Sequence, residues 1–142
     1  MLVSKLSLLR LSLRNNLLRT KYELGSLLGH HATVYYLWRK IFWQELTDRL
    51  ISDQTEIVIE GFPRSGNTFA VAAFMLSQNR PVNIAHHSHK IAQVAIAVKA
   101  EIPALVIIRH PADAVVSLVL RYPFLSLSQS LNSYIRYYNG IY

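Results

Sequence analysis

Residues 57–68 constrain the fold of this chain more tightly than any other segment. Ile57-Val58-Ile59 is a β-branched run of the kind that suits a strand buried in a parallel sheet. Gly61 ends the run, and Phe62-Pro63-Arg64-Ser65-Gly66-Asn67-Thr68 leads into a helical pattern with Phe69, Ala72, Ala73 and Leu76 on one face. In a glycine-bounded loop between a strand and a helix, backbone N–H groups converge on an anion while the helix N-terminus adds positive potential. The spacing follows the frame G-x-x-x-x-G-K-[ST], with Asn67 where the lysine would stand. The missing lysine is the group that reaches the terminal phosphates of a nucleoside triphosphate, so ATP or GTP hydrolysis is disfavoured. Arg64 supplies a cation three residues earlier, on the loop. A glycine-rich turn with a merely solvated Arg64 is the plainer alternative.

The rest of the chain alternates in the same sense. Strands are predicted at Val82–Ala85 and Ala104–Ile108, and helices at Phe69–Gln78, Ile91–Lys99, Asp113–Leu120 and Ser126–Tyr138. Strand, helix, strand, helix specifies an α/β fold with a parallel sheet of about three strands joined by right-handed crossovers. Two helices precede it, at residues 3–20 and 31–51, separated by Gly25 and Gly29. Tyr35, Leu37, Trp38, Ile41, Phe42 and Leu46 of the second are dense enough to bury one side; Trp38, Trp43 and the Tyr35-Tyr36 pair could form a ligand platform but are assigned to packing, since aromatic residues at helical spacing are mostly core. With 142 residues and 51% hydrophobic content, 1–52 and 53–142 are expected to form one continuous globular unit.

In the first helix Leu6, Leu9, Leu13 and Leu17 form an apolar stripe opposite Lys5, Arg10, Arg14 and Arg19. The preferred reading is a helix that covers the core and leaves a solvated cationic face. Peripheral contact of residues 1–20 with acidic lipid headgroups is the alternative. No signal-peptide core and no run of ~20 apolar residues is readable. A chain without cysteine has no disulfides, thiolate nucleophiles or Cys-based metal sites, and a cytoplasmic location is expected. The formal charge of +7 favours anionic partners, and recognised nucleic-acid motifs are missing, so no nucleic acid is expected.

A second anion device follows the third strand, in Arg109-His110-Pro111-Ala112-Asp113-Ala114-Val115-Val116-Ser117. Pro111 suits a helix start, Asp113 is expected to cap the first turn, and Arg109 and Ser117 can converge on one phosphate. Devices at two strand ends point to the crevice outside the carboxyl edge of the sheet. A local salt bridge plus a cap is the plainer reading of Arg109 and Asp113.

Together these segments resemble the sulfotransferase family, over about Glu56 to Arg121. Pro63-Arg64-Ser65-Gly66-Asn67-Thr68 is similar to its 5′-phosphosulfate loop, P-[KR]-S-G-[TN]-T, and Arg109 to Ser117 to its 3′-phosphate element, R-x-P-x-D-x-x-x-S. The resemblance implies a P-loop-like three-layer α/β/α fold of which this chain spans the donor-binding half. It implies 3′-phosphoadenylyl sulfate as co-substrate, an acceptor hydroxyl or amine that it leaves unidentified, and sulfuryl transfer. Arg64 would stabilise leaving-group charge, Ser65, Gly66, Asn67 and Thr68 would cradle the 5′-phosphate, and Arg109 and Ser117 would hold the 3′-phosphate. The general base would fall in Ala85-His86-His87-Ser88-His89-Lys90, with His87 preferred and His86 next, strand alternation sending the two to opposite faces. Two other readings of this cluster are a zinc or nickel site, which lacks a neighbouring carboxylate, and a surface turn; no metal is expected. A catalytically silent nucleotide- or membrane-binding module is the alternative function.

Overall fold

The structure, a computed structural model, describes residues 2–35, 37 and 49–141. In chain order its elements are α1 (Leu2–Leu28), β1 (Ile57–Gly61), α2 (Asn67–Ser77), β2 (Ile84–His86), α3 (Ile91–Lys99), β3 (Ala104–Ile107), α4 (Pro111–Arg121) and α5 (Leu127–Asn139). The three strands form one parallel sheet in the order β2-β1-β3, as the alternation predicts. Tyr36, Trp38, Ile41, Phe42, Trp43 and Leu46 of the second predicted helix lie outside the described residues; Tyr35 is buried against Leu50 and Ala92 as expected, whereas Leu37, expected on the buried side, is exposed.

β1 occupies the centre because it can be buried on both faces: Val58, Ile59 and Glu60 are wholly inaccessible to solvent. Its register pairs Val58 with Ala85 of β2 and Gly61 with Ile107 of β3. The chain leaves β1 toward β2, then crosses back over β1 to reach β3. With right-handed crossovers this reversal puts α2 and α3 on opposite faces and opens a crevice at the carboxyl ends of β1 and β3. Val58, Ala85 and Ala97 form one part of the core, while Phe62, Val115, Leu118, Leu125, Tyr134 and Tyr137 form another beneath α4 and α5. At the amino end of the sheet, Glu56 accepts from Arg80 and from Asn83 N–H (3.1 Å), tying the entry of β2 to that of β1. The Arg80 guanidinium holds this exposed carboxyl down at about 2.

Several boundaries differ from expectation for local reasons. α1 runs through Gly25 without a break and stops only at Gly29, because a lone glycine costs a helix just ~1 kcal/mol. α4 begins at Pro111 with His110 as N-cap, and no side chain caps it; Asp113 sits in the first turn, where it complements the helix dipole rather than capping. α5 carries the capping device instead, with Ser126 Oγ accepting from Gln129 N–H at 3.1 Å and the Gln129 side chain returning to Ser126 N–H.

The stripe on α1 does not cover the core. Leu9, Leu13 and Leu17 are 58%, 61% and 70% exposed. The helix docks through another face, against α5 and the loop before it: Tyr22 and Ser26 meet Ser133, Glu23 pairs with Arg136 at 2.6 Å, and Arg19 Nε donates to the carbonyl of Phe124 in the loop. Polar contacts with α5, not leucine burial, set its orientation.

Gly61 is required by close approach. A Cβ there would lie 2.6 Å from the Ile107 carbonyl oxygen and 2.7 Å from Asn67 Oδ1. Gly61→Ala is therefore expected to cost roughly 1–3 kcal/mol through overpacking against backbone that cannot yield. Equilibrium urea unfolding checks this, and an unchanged midpoint would show that β1 and β3 can part at this level without penalty.

Candidate functional site

The loop from Phe62 to Gly66 is anchored at both flanks before it reaches solvent. Phe62 is buried edge-on against the rings of Tyr134 (5.1 Å) and Tyr137 (6.0 Å). Tyr138 donates its hydroxyl to Ile107 O at 2.7 Å, so its oxygen accepts from Phe62 N–H (3.4 Å) and from Ser65 Oγ (3.3 Å). Arg64 and Gly66 both have positive φ, 71° and 94°. At Gly66 a side chain would meet nothing within 4 Å, so glycine serves conformation there rather than room. Gly66 is the N-cap of α2 and offers no side-chain acceptor, and the first turn holds no acidic residue. The opening N–H groups of such a helix lack intrahelical acceptors and are directed at whatever lies beyond it.

The two cationic devices meet. Arg64 Nε donates to Ser117 Oγ at 3.0 Å, and Arg109 Nη1 donates to the carbonyl of Arg64 at 2.9 Å. Arg109 is itself held by Tyr134, whose hydroxyl donates to Arg109 O at 2.7 Å. The strand ends of β1 and β3 thus bring Arg64, Arg109 and Ser117 to one place.

A cavity of about 910 Å³ opens beside them, within the size range of small-molecule sites. Lys21, Arg64, Lys90, Arg109 and Arg121 line it, and among the described residues no Asp or Glu does. Pro63, Gly66, Asn67, Thr68 and His87 line it as well. Ser65 is buried behind the loop, and Ser117 reaches the cavity only through Arg64. His86 lines a different cavity, beside Ser52 and Thr55.

Asn67 explains why the lysine position of the loop tolerates an amide. Its side chain is buried and turned inward, Nδ2 donating to the carbonyls of Gly61 and Phe62 at 3.2 Å each. Both amide protons are then engaged, so His89 Nδ1 (3.0 Å from Gly61 O) donates its own proton to the same carbonyl. The Asn67 side chain supports the loop and does not face the cavity as a ligand donor.

The histidine segment departs from strand alternation. β2 ends at His86, and His87 and His89 take positive φ, 58° and 53°. The turn at His87 folds its ring back onto His86, with centroids 4.6 Å apart and the two Nδ1 atoms in hydrogen-bond contact. His87 Nε2 lies 2.9 Å from Thr68 Oγ1, on the cavity side. Burial lowers all three rings, taking His86 to about 4, with the His87 ring adding to the shift. If the shared proton resides on His87 Nδ1, the Nε2 lone pair faces Thr68 and the cavity. Among the described residues no group of three or more His, Asp or Glu side chains gathers in a form that could hold a metal ion.

Glu60 is the functional-site residue that sequence reasoning missed. Buried at the end of β1, it accepts from Ser88 N–H (2.7 Å), His89 N–H (3.0 Å) and Gln93 Nε2 (3.0 Å), shaping the histidine turn from behind. An acidic residue in an otherwise apolar strand was the available signal. No protein-family model matches this chain, and neither curated proteins nor solved structures give a match.

Burial pushes the Glu60 carboxyl up to about 7 against the donors that pull it down. A carboxyl raised from 4.5 to about 7 binds its proton more tightly folded than unfolded, so its contribution to stability is full below pH 4.5 and is lost as pH rises toward 7. Glu60→Gln should abolish that decline. In thermal melts, the stability of the variant relative to the parent should increase steadily between pH 4.5 and 7; a difference independent of pH would contradict the assignment.

Proposed function

We propose that this chain is the donor-binding domain of a sulfotransferase, holding 3′-phosphoadenylyl sulfate across the carboxyl ends of β1 and β3 and passing its sulfuryl group to a hydroxyl or amine acceptor. One observation carries the reading: Arg64, tied to Ser117 behind it, and Arg109 converge on a cavity lined by five cations and, among the described residues, by no carboxylate. Such a lining selects a ligand with several negative oxygens. The motif resemblance then favours a nucleotide carrying 5′- and 3′-phosphoryl groups, and a cytoplasmic setting goes with it.

In this reading the N–H groups opening α2 and the Thr68 hydroxyl receive the 5′-phosphate, and Arg109 with Ser117 receives the 3′-phosphate. Such a ligand would replace the hydrogen bond between Arg64 and Ser117, releasing Arg64 toward the oxygen that bridges phosphorus and sulfur. The co-substrate supplies an activated sulfuryl group. As the acceptor oxygen or nitrogen bonds to sulfur and the bridging S–O bond breaks, Arg64 balances charge on the departing phosphate and His87 Nε2 takes the acceptor proton. The lowered pKa of His87 keeps the ring neutral near pH 7, as a general base requires. His86, turned to another cavity, acts on the tautomer of His87 and does not reach the acceptor.

Isothermal calorimetry tests the binding step. Adenosine 3′,5′-bisphosphate should bind well ahead of AMP, and Arg109→Ala should weaken the bisphosphate by about 10- to 100-fold, the worth of one charge-assisted contact. AMP binding as tightly as the bisphosphate would exclude the 3′-phosphate assignment. His87→Ala should keep bisphosphate affinity and lose transfer of labelled sulfate; retained transfer would remove the histidine from the chemistry.

A further inference from the structure

The outward face of α1 carries a row of leucines that the core does not use. At about 100° per residue, Leu9, Leu13, Leu17, Leu24 and Leu27 fall within an arc of roughly 80°. All five are exposed, from 50% at Leu27 to 70% at Leu17. Single exposed leucines need no explanation, but an aligned series along a helix of 27 residues marks a binding surface. The face that docks on α5 and the loop before it, through Arg19, Tyr22 and Ser26, lies on the other side of the helix, so among the described residues the row is left open.

Charge identifies the occupant. Arg10 and Arg14 are exposed and, rather than standing opposite the leucines as the sequence pattern predicts, border the row on one flank. The first 22 residues hold five Lys and Arg and no Asp or Glu, Glu23 being the first acid in the chain. A second copy laid on this face would bring like charges together. An anionic bilayer meets both demands, offering acyl chains to the leucines and phosphates to the arginines. From Lys5 to Arg19 charges recur every four or five residues, and among the described residues no helix is long and apolar enough to cross a membrane, so the geometry is that of a helix lying in the plane of the surface.

We propose that α1 adsorbs to an anionic lipid surface, with its leucine row at the boundary of headgroups and acyl chains and Arg10 and Arg14 at the lipid phosphates. Leu18, Lys21 and Tyr22 of the same helix line the cavity beside Arg64, so adsorption sets one wall of that cavity on the membrane-bound element. The surface is independent of what the cavity binds.

Sedimentation of the full chain with vesicles tests this without nucleotide. Vesicles of phosphatidylserine and phosphatidylcholine should pellet the protein, phosphatidylcholine alone should do so weakly, and added salt should diminish the difference. The exposed pair Leu13→Glu with Leu17→Glu should reduce vesicle binding at least about tenfold. Its melting temperature should match the parent, because neither side chain is packed. Arg10→Gln with Arg14→Gln should lose the salt-sensitive part alone. Absence of binding, or equal binding by the leucine variant, would overturn the proposal. So would an oligomer on size exclusion that the leucine variant dissolves while vesicles bind neither form, which would assign the row to a second copy.

Discussion

The Tyr138 hydroxyl sits where the two halves of the site have to be joined. It donates to the carbonyl of Ile107, at the end of β3, and accepts from the N–H of Phe62 and the hydroxyl of Ser65, on the loop after β1. One helical turn earlier, Tyr134 donates to the carbonyl of Arg109. Two tyrosines on α5 therefore fix the separation of the two strand ends that carry Arg64 and Arg109. α5 in turn is placed by Ser126 capping, by Phe62 packing and by the polar face of α1. A half-buried hydroxyl with its donor and both acceptor positions engaged couples these contacts, since losing it leaves the Phe62 N–H, the Ser65 hydroxyl and the Ile107 carbonyl each short of a partner.

The far flank of the loop is held by an equally local arrangement. Asn67 and His89 share the carbonyl of Gly61, and Glu60 gathers the N–H groups of Ser88 and His89 from beneath. The positive φ values of Arg64, His87 and His89 are concentrated here, where these contacts compensate for strain. The electrostatic result is a division of labour. Permanent cations line the cavity, burial lowers the histidines, and the Glu60 carboxyl is buried behind the wall, where it does not compete for an anion.

Much of this was readable in advance, for physical reasons. Ile57-Val58-Ile59 and Ala104 to Ile108 are short apolar runs of strand length, and both supply strands of the sheet, although only β1 is buried and β3 lies half-exposed at the edge; Pro111 opens a helix, as its fixed φ allows. The pairing of Arg64 with Arg109 followed from placing each at a strand end of one parallel sheet. What escaped depends on single dihedrals and long-range partners. A left-handed His87 brings its ring onto His86, against the alternation that separates them. Asn67 turns inward because two carbonyls await it, and Tyr134 and Tyr138 look like ordinary core aromatics until their hydroxyls are seen to reach β3 and Arg109. The leucines of α1 misled because periodicity reports an apolar face without saying what covers it.

The central claim is that two anion-binding devices share one cleft. A crystal structure with adenosine 3′,5′-bisphosphate tests it most directly. The account predicts one phosphate within hydrogen-bonding reach, about 3 Å, of the N–H groups that open α2, and the other between Arg109 and Ser117, with Arg64 withdrawn from the serine. Density for the nucleotide outside this cleft, or a single phosphate on Arg64 with Arg109 and Ser117 untouched, would contradict it.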